Sequence, residues 1–257
     1  MTDRMKLHDA IIFATKAHQG QKRKGTDIDY ICHPLEVAQI LTEIVDRGTD
    51  WNDELIIAGL LHDVVEDTDV GIDEIRERFG SDVARLVGAH THPKDGTWIE
   101  RKMKEVNKIK HADPQVKALV LADKVSNMRS IRADVQEQGN KVWDRFNAGV
   151  EDQRTFYNAI LDALEELQHY RDVEHIYWEA TELFKDIFVK YYYDEANDAI
   201  LQGYPGNYAK LERGKSFWNS IDELPAYGLK EISRYDAEHL EEWWWQATGE
   251  MGNKIKQ

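Results

Sequence analysis

The sequence predicts an all-α protein, and three observations carry that expectation. Apolar residues recur at helical spacing almost throughout, with Gly, Ser and Pro where helices would start or stop. No segment alternates between apolar and polar residues well enough to imply a major sheet. No internal repeat or low-complexity stretch interrupts the pattern. A chain of 257 residues suits one large domain, or one domain with an extension.

The elements follow in order. Leu7–His18 has helical spacing, and Gly20 marks its end. Pro34–Val45 starts on a proline suited to a first helical turn and stops at Gly48. Asn52–Glu66 is a third helix, built on the apolar run Leu55–Leu61. Gly71–Phe79 is short, acidic at its start and ended by Gly80. Ser81 caps Ser81–His90. Thr97–Lys110 is charged and therefore exposed; Gln115–Arg132 is strongly apolar in its first half; Glu151–Tyr170 is long and amphipathic.

Beyond residue 170 the chain changes character. Val173–Gln202 reads as one or two helices rich in aromatics, among them Tyr191-Tyr192-Tyr193. Gly203-Tyr204-Pro205-Gly206-Asn207 reads as a turn, and Leu229–Thr248 as a last helix ending near Trp243-Trp244-Trp245. The expected domains are 1–170 and 171–257, the second an acidic, aromatic-rich helical extension. Its tryptophans are too apolar to leave in water, so they should bury against the first domain or a second copy, making a homo-oligomer through the extension.

Charge and cysteine content narrow the function. The net charge of −15 argues against a nucleic-acid binder. Residues 1–150 hold 22 Lys and Arg against 26 Asp and Glu, whereas residues 151–257 hold 11 against 22, so the acidity belongs to the second part. A polyanionic ligand would have to be drawn in by local basic residues such as Lys22-Arg23-Lys24. One cysteine, Cys32, excludes an intrachain disulfide and fits a reducing, cytoplasmic setting. No signal peptide and no membrane span are expected.

The chemistry concentrates in Leu61-His62-Asp63-Val64-Val65-Glu66-Asp67-Thr68, directly after an apolar run. On one continuous helix His62 and Glu66 would lie a turn apart, as would Asp63 and Asp67. His33 is held at a helix entrance by Pro34. Asp123 sits in the apolar stretch Val116–Lys124, where a carboxylate is costly unless paired or bound to metal. His33, His62, Asp63 and Asp123 thus suit one divalent ion. Their oxygen share favours Mn2+, with iron or zinc as the other candidates. Glu66 and Asp67 are the candidate catalytic carboxylates, because hydrolysis needs a base near the attacking water. Asn127, one turn past Asp123, should face the same pocket. His90 and His92 flank a loop beside Pro93 and read as surface.

Together these segments resemble the RelA/SpoT group of HD-type hydrolases. The resemblance runs through Ala17–Lys24, Tyr30–Pro34, Leu61–Thr68, Phe79-Gly80, Leu121–Lys124 and Asn127–Arg129, over about the first 170 residues. It implies a helical HD-domain fold and a stand-alone alarmone hydrolase. It also implies a Mn2+-dependent release of pyrophosphate from the 3′ position of guanosine 3′,5′-bis-diphosphate (ppGpp or pppGpp), giving GDP or GTP. It favours Arg23 and Lys24 as nucleotide contacts. Tyr157 reads as core or pocket wall, and Lys94 similarly as surface or substrate contact. The chain departs from the family at Ser126, where an aromatic or His is usual, at His90-Thr91-His92-Pro93-Lys94, which stands where the family has a Val-Thr-Lys stretch, and between Gly25 and Tyr30, with Asp27 and Asp29. Two rival functions stand beside this one: an HD phosphohydrolase acting on an adenosine alarmone or on the 2′-phosphate of NADPH, and a neutralising protein whose acidic tail binds a partner.

Overall fold

The computed structural model describes residues 3–46, 51–90, 95–204, 207–212, 215, 218–221, 223–225 and 228–241. The helix stop expected at Gly48, the stretch Thr91–Lys94 and the Trp243–Trp245 run lie outside them. The chain divides into two compact units, Met1–Phe184 and Lys185–Gln257.

The first unit is helical. It contains α1 (Asp3–Ala17), α2 (Cys32–Val45), α3 (Asp53–Leu61), α4 (Val64–Asp67), α5 (Ile72–Phe79), α6 (Ser81–His90), α7 (Trp98–Lys110), α8 (Pro114–Gln138), α9 (Val150–Ala163) and most of α10 (Glu174–Phe188). Short 3-10 turns at Gly139–Arg145 and Glu165–His169 flank α9. Local chemistry explains the ends. Asp113 caps α8, accepting from the N–H groups of Gln115 and Val116, and Pro114 fills a position where an amide would lack a partner. Thr97 and Glu100 form a reciprocal capping box at α7.

α3 is the hub, packing against α1, α2, α6 and α8. Every residue from Leu55 to Leu61 is buried. Each such Leu or Ile contributes about 1.5–3 kcal/mol. Gly59 lets α2 come close: a Cβ there would sit 2.6 Å from Leu41 Cδ1 and 3.4 Å from Ala38 Cα. This close approach sets the distance between the start of α2 and the end of α3, which carry His33 and His62.

The expected helix Asn52–Glu66 is two helices. α3 ends at Leu61, and α4 restarts at Val64 after a turn at His62-Asp63. Asp63 has φ −97 and ψ −6, the bridge region between helix and extended chain. Glu151–Tyr170 is likewise shorter, with α9 ending at Ala163.

The second unit overturns the all-α expectation. It is a five-stranded antiparallel sheet: β1 (Lys190–Asp194), β2 (Ala199–Tyr204), β3 (Asn207–Glu212), β4 (Asn219–Ile221) and β5 (Leu229–Ile232), in the order β4-β3-β2-β1-β5. The protein is therefore a mostly helical domain plus a sheet, not all-α. Tyr191, Ile200, Leu211 and Ala237 form the sheet unit's core, with Val189, Tyr193, Trp218, Ile232 and Leu240 against it. Residues 234–241 are helical, whereas Leu229–Ile232, the start of the expected Leu229–Thr248 helix, is β5.

The reasons are physical. Three consecutive tyrosines favour a pleated surface over a helix. The strands are three to six residues long, too short to display a period of two. In β2, Ala199, Ile200 and Leu201 are all buried, so no polar face alternates with them.

Candidate metal centre

Three elements of the helical unit bring their functional side chains to one buried place. His33 lies in the first turn of α2, His62 and Asp63 in the turn after α3, and Asp123 in the middle of α8. His33 Nε2 is 3.2 Å from Asp123 Oδ1 and 3.6 Å from Asp63 Oδ2. His62 Nε2 is 3.0 Å from Asp63 Oδ2 and 3.8 Å from Asp123 Oδ1. One ligand atom each from His33, His62 and Asp123 falls within 4.8 Å of the others.

The tautomers fit a cation. His62 Nδ1 contacts the Gly59 carbonyl at 2.8 Å. A carbonyl only accepts, so Nδ1 carries the proton and Nε2 presents a lone pair. That Nε2 is buried without a hydrogen-bond partner, 3.0 Å from a carboxylate oxygen. Two lone-pair atoms at this distance need a proton or a metal ion between them. His33 is oriented similarly. The Ser126 hydroxyl donates to Glu36 Oε2 at 2.8 Å and so accepts from His33 Nδ1, also at 2.8 Å, leaving Nε2 as the ligand atom. Arg129 pairs with Glu36 and Glu179, so it supports the Glu36–Ser126–His33 bonds from behind.

The electrostatics agree. Burial opposes charge on His62, but Asp63 and Asp123 outweigh it and raise its pKa to about 9. In the absence of an ion, that proton adds a second positive charge beside the Lys124 ammonium. Burial also opposes charge on Asp63 and Asp123, yet His62 holds the first ionised, and Lys124 with His33 the second, both well below the usual carboxylate range. Burial lowers His33. Two buried carboxylates kept ionised, beside a neutral His33 and a His62 whose extra proton an ion would displace, suit a divalent metal ion.

Glu66 and Asp67 lie on α4, half-buried or more exposed, next to an open polar cleft of about 710 Å3 that also includes Ala17, Gln21 and Thr68–Val70. Burial, then Asp63 and Asp67, raise Glu66 to about 7. Burial and Asp63 also raise Asp67, opposed chiefly by His18. Asn127 Nδ2 donates to Asp123 Oδ1 at 2.6 Å, and its Oδ1 accepts from Arg23 at 3.2 and 3.3 Å. Arg23 is thereby linked to the centre through one side chain. Lys24 is not: its ammonium bonds Asn147 Oδ1 at 3.1 Å and lies over the Phe146 ring. Tyr157 is buried on α9, its hydroxyl pKa raised chiefly by burial. Lys94 lies outside the described residues.

Sequence reasoning missed four residues. Tyr30 donates to Asp63 Oδ2 at 2.5 Å; its place three residues before His33 was the available signal. Glu105 meets Lys124 at 3.5 Å and Lys102 at 2.7 Å from a helix that looks merely charged in sequence. Ser126 anchors His33. His90, expected at the surface, is instead the buried last residue of α6, because α6 packs on α3 and α8.

The comparisons with known proteins agree with this geometry. The HD domain family matches residues 10–154, more than half of the chain. Human MESH1, a guanosine-3′,5′-bis(diphosphate) 3′-pyrophosphohydrolase, is 41% identical over 127 residues, 49% of this chain and 69% of that protein. The guanosine-3′,5′-bis(diphosphate) 3′-pyrophosphohydrolase of Aquifex aeolicus is 30% identical over 97% of this chain, though that covers only 33% of the longer protein. Among solved structures, a metazoan ortholog of SpoT described as hydrolysing ppGpp is similar with a TM-score of 0.56 and 26% identity, covering 70% of this chain and 94% of its own. The chain belongs to the HD domain family, in the branch that contains the SpoT- and MESH1-related hydrolases.

Proposed function

We propose that this protein is a metal-dependent 3′-pyrophosphohydrolase of guanosine 3′,5′-bis-diphosphate. The observation that carries the reading is the bare Nε2 of His62 facing Asp63, in a chain 41% identical to an enzyme named for that reaction. His33, His62, Asp63 and Asp123 would hold one divalent ion, with Mn2+ favoured by the oxygen share and iron or zinc the other candidates. When bound, such an ion would lower the pKa of a water or polarise a phosphoryl oxygen.

The side chains supply the rest. Glu66, raised to about 7, accepts a proton from the attacking water near neutral pH, with Asp67 beside it. The water oxygen bonds to the phosphorus attached at the ribose 3′ oxygen, that P–O bond breaks and pyrophosphate leaves. The 3′ oxygen takes up a proton. Arg23 is the basic residue best placed to meet the nucleotide, because Asn127 ties it to Asp123. Lys24 and Lys94 are proposed as phosphate contacts and Tyr157 as a wall of the pocket. Among the described residues no helix is long and apolar enough to cross a membrane. The sheet unit is proposed to modulate hydrolysis without supplying a catalytic group.

Product analysis tests this. Purified protein with Mn2+ should release pyrophosphate from guanosine 3′-diphosphates. Turnover confined to adenosine 3′-diphosphates or to the NADPH 2′-phosphate would replace the substrate, and tight binding without turnover would replace the enzyme with a binder.

A further inference from the structure

One buried imidazole at this centre lies outside the four-residue set. His90 is 2% exposed. Its Nε2 is 3.5 Å from Asp123 Oδ2 and 3.9 Å from Asp63 Oδ1. His62, Asp63 and His90 each place a ligand atom within 4.8 Å of the others, just as His33, His62 and Asp123 do. His62 belongs to both groups. Its ring centroid is 5.1 Å from that of His33 and 5.0 Å from that of His90, so it stands between the two groups.

We propose that His90 is a fifth protein ligand to the same divalent ion, completing a sphere of three imidazoles and two carboxylates. The inference rests on the metal-centre reading above but not on the substrate assigned with it. It concerns this chain in particular, since His90 opens the stretch His90-Thr91-His92-Pro93-Lys94, where the chain departs from the family it resembles.

A second ion is the competing arrangement. His33 and His62 approach one oxygen of each carboxylate, and His90 approaches the other. Carboxylates divided in this way can bridge two metals. Lys124 opposes it. Its ammonium is 2.8 Å from Asp123 Oδ2, the oxygen His90 faces, and Glu105 holds it from the other side at 3.5 Å. A second dication at that oxygen would meet a buried positive charge. A neutral imidazole brings no charge and can share the space.

Two consequences follow. A six-coordinate ion held by these five donors would have one position left. Water or a phosphoryl oxygen can take it, but not both, so side chains must hold the substrate's phosphates. A third nitrogen donor also favours later first-row ions, raising affinity for Co2+ or Zn2+ more than for Mn2+.

The test uses the full chain. Electron spin echo modulation on the Mn2+-loaded wild-type protein counts bound imidazoles, with three expected. The same measurement on His90→Val and His90→Gln should give two. Competition against a chelator should show Co2+ affinity falling about 10–100-fold in His90→Val, with a smaller loss for Mn2+. Metal analysis should give one ion per chain. Two imidazoles in the wild type, two ions per chain, or unchanged affinity in a folded His90→Val would each overturn the proposal. Failure of the wild type to bind any divalent ion would overturn the metal centre along with it. Three imidazoles in a protein inactive on guanosine 3′-diphosphates would uphold His90 and reject only the substrate.

Discussion

In the helical unit the buried side chains include His33, His62, His90, Glu105, Lys117, Asp123 and Lys124. In the sheet unit, among the described residues, the buried charged side chain is Asp194, and it is satisfied locally by the backbone and side-chain amides of Asn197. Burying an ionised group costs stability unless a partner is built for it. The sheet unit meets that cost once, to close a turn. The helical unit meets it repeatedly, and apart from Lys117, which pairs with Glu166, these groups converge on His33, His62, Asp63 and Asp123. Folding alone does not require this, so the comparison locates the chemistry in the helical unit.

The predictions that test this contrast run from large effects to small. Asp123→Ala should abolish both metal binding and turnover, because it removes a donor from the centre of the cluster. It also leaves Lys124 with Glu105 as its nearest carboxylate, and breaking a buried pair costs about 3–5 kcal/mol. Elemental analysis and thermal unfolding measure the two effects, and full metal content would remove Asp123 from the sphere.

Glu66→Gln should keep the ion and bind nucleotide while kcat falls about 10²–10⁴-fold, the range for losing a general base. The wild-type profile carries the same signature. Glu66 titrates near 7 because burial and the carboxylates of Asp63 and Asp67 resist its ionisation. The base form is the higher-pH form, so turnover should decline as pH falls through about 7, and a bound cation should move that limb lower. Near-wild-type turnover in Glu66→Gln would break the assignment.

Ser126→Ala removes the hydroxyl that orients His33 and should weaken metal affinity about 10–100-fold with little change in fold. Affinity equal to the wild type would mean that α2 alone orients the ring.

Removing the sheet unit should leave metal affinity intact and hydrolysis measurable. The cut belongs after Phe188, not near Tyr170. Ile176, Tyr177, Ala180 and Leu183 on α10 are buried, and Glu179 holds Arg129. A folded, metal-loaded helical unit without activity would show that the sheet unit contributes to the reaction.

The smallest effect is expected in the sheet unit itself. Asp194→Ala should cost about 1–3 kcal/mol by freeing the amides of Asn197, read as a lower Tm, with kcat and metal affinity unchanged.

Much of the helical unit was legible in the sequence because helices announce themselves locally. Caps such as Asp113-Pro114, stops such as Gly80 and an apolar run like Leu55–Leu61 are each written within a few residues. His33, His62, Asp63 and Asp123 were legible for a related reason: a His or Asp set within or beside apolar sequence is costly wherever the chain takes it. The sequence by itself thus determined the helices, the residue types of the centre and the family. Only the tertiary structure decided the rest. The break at His62-Asp63, the sheet and the burial of His90 depend on what packs across from each segment. Strands as short as Asn219–Ile221 are defined by partners distant in sequence, and α6 carries His90 inward only because α3 and α8 receive it. Pairing and burial are properties of neighbours in space, and a local reading of residues contains no record of them.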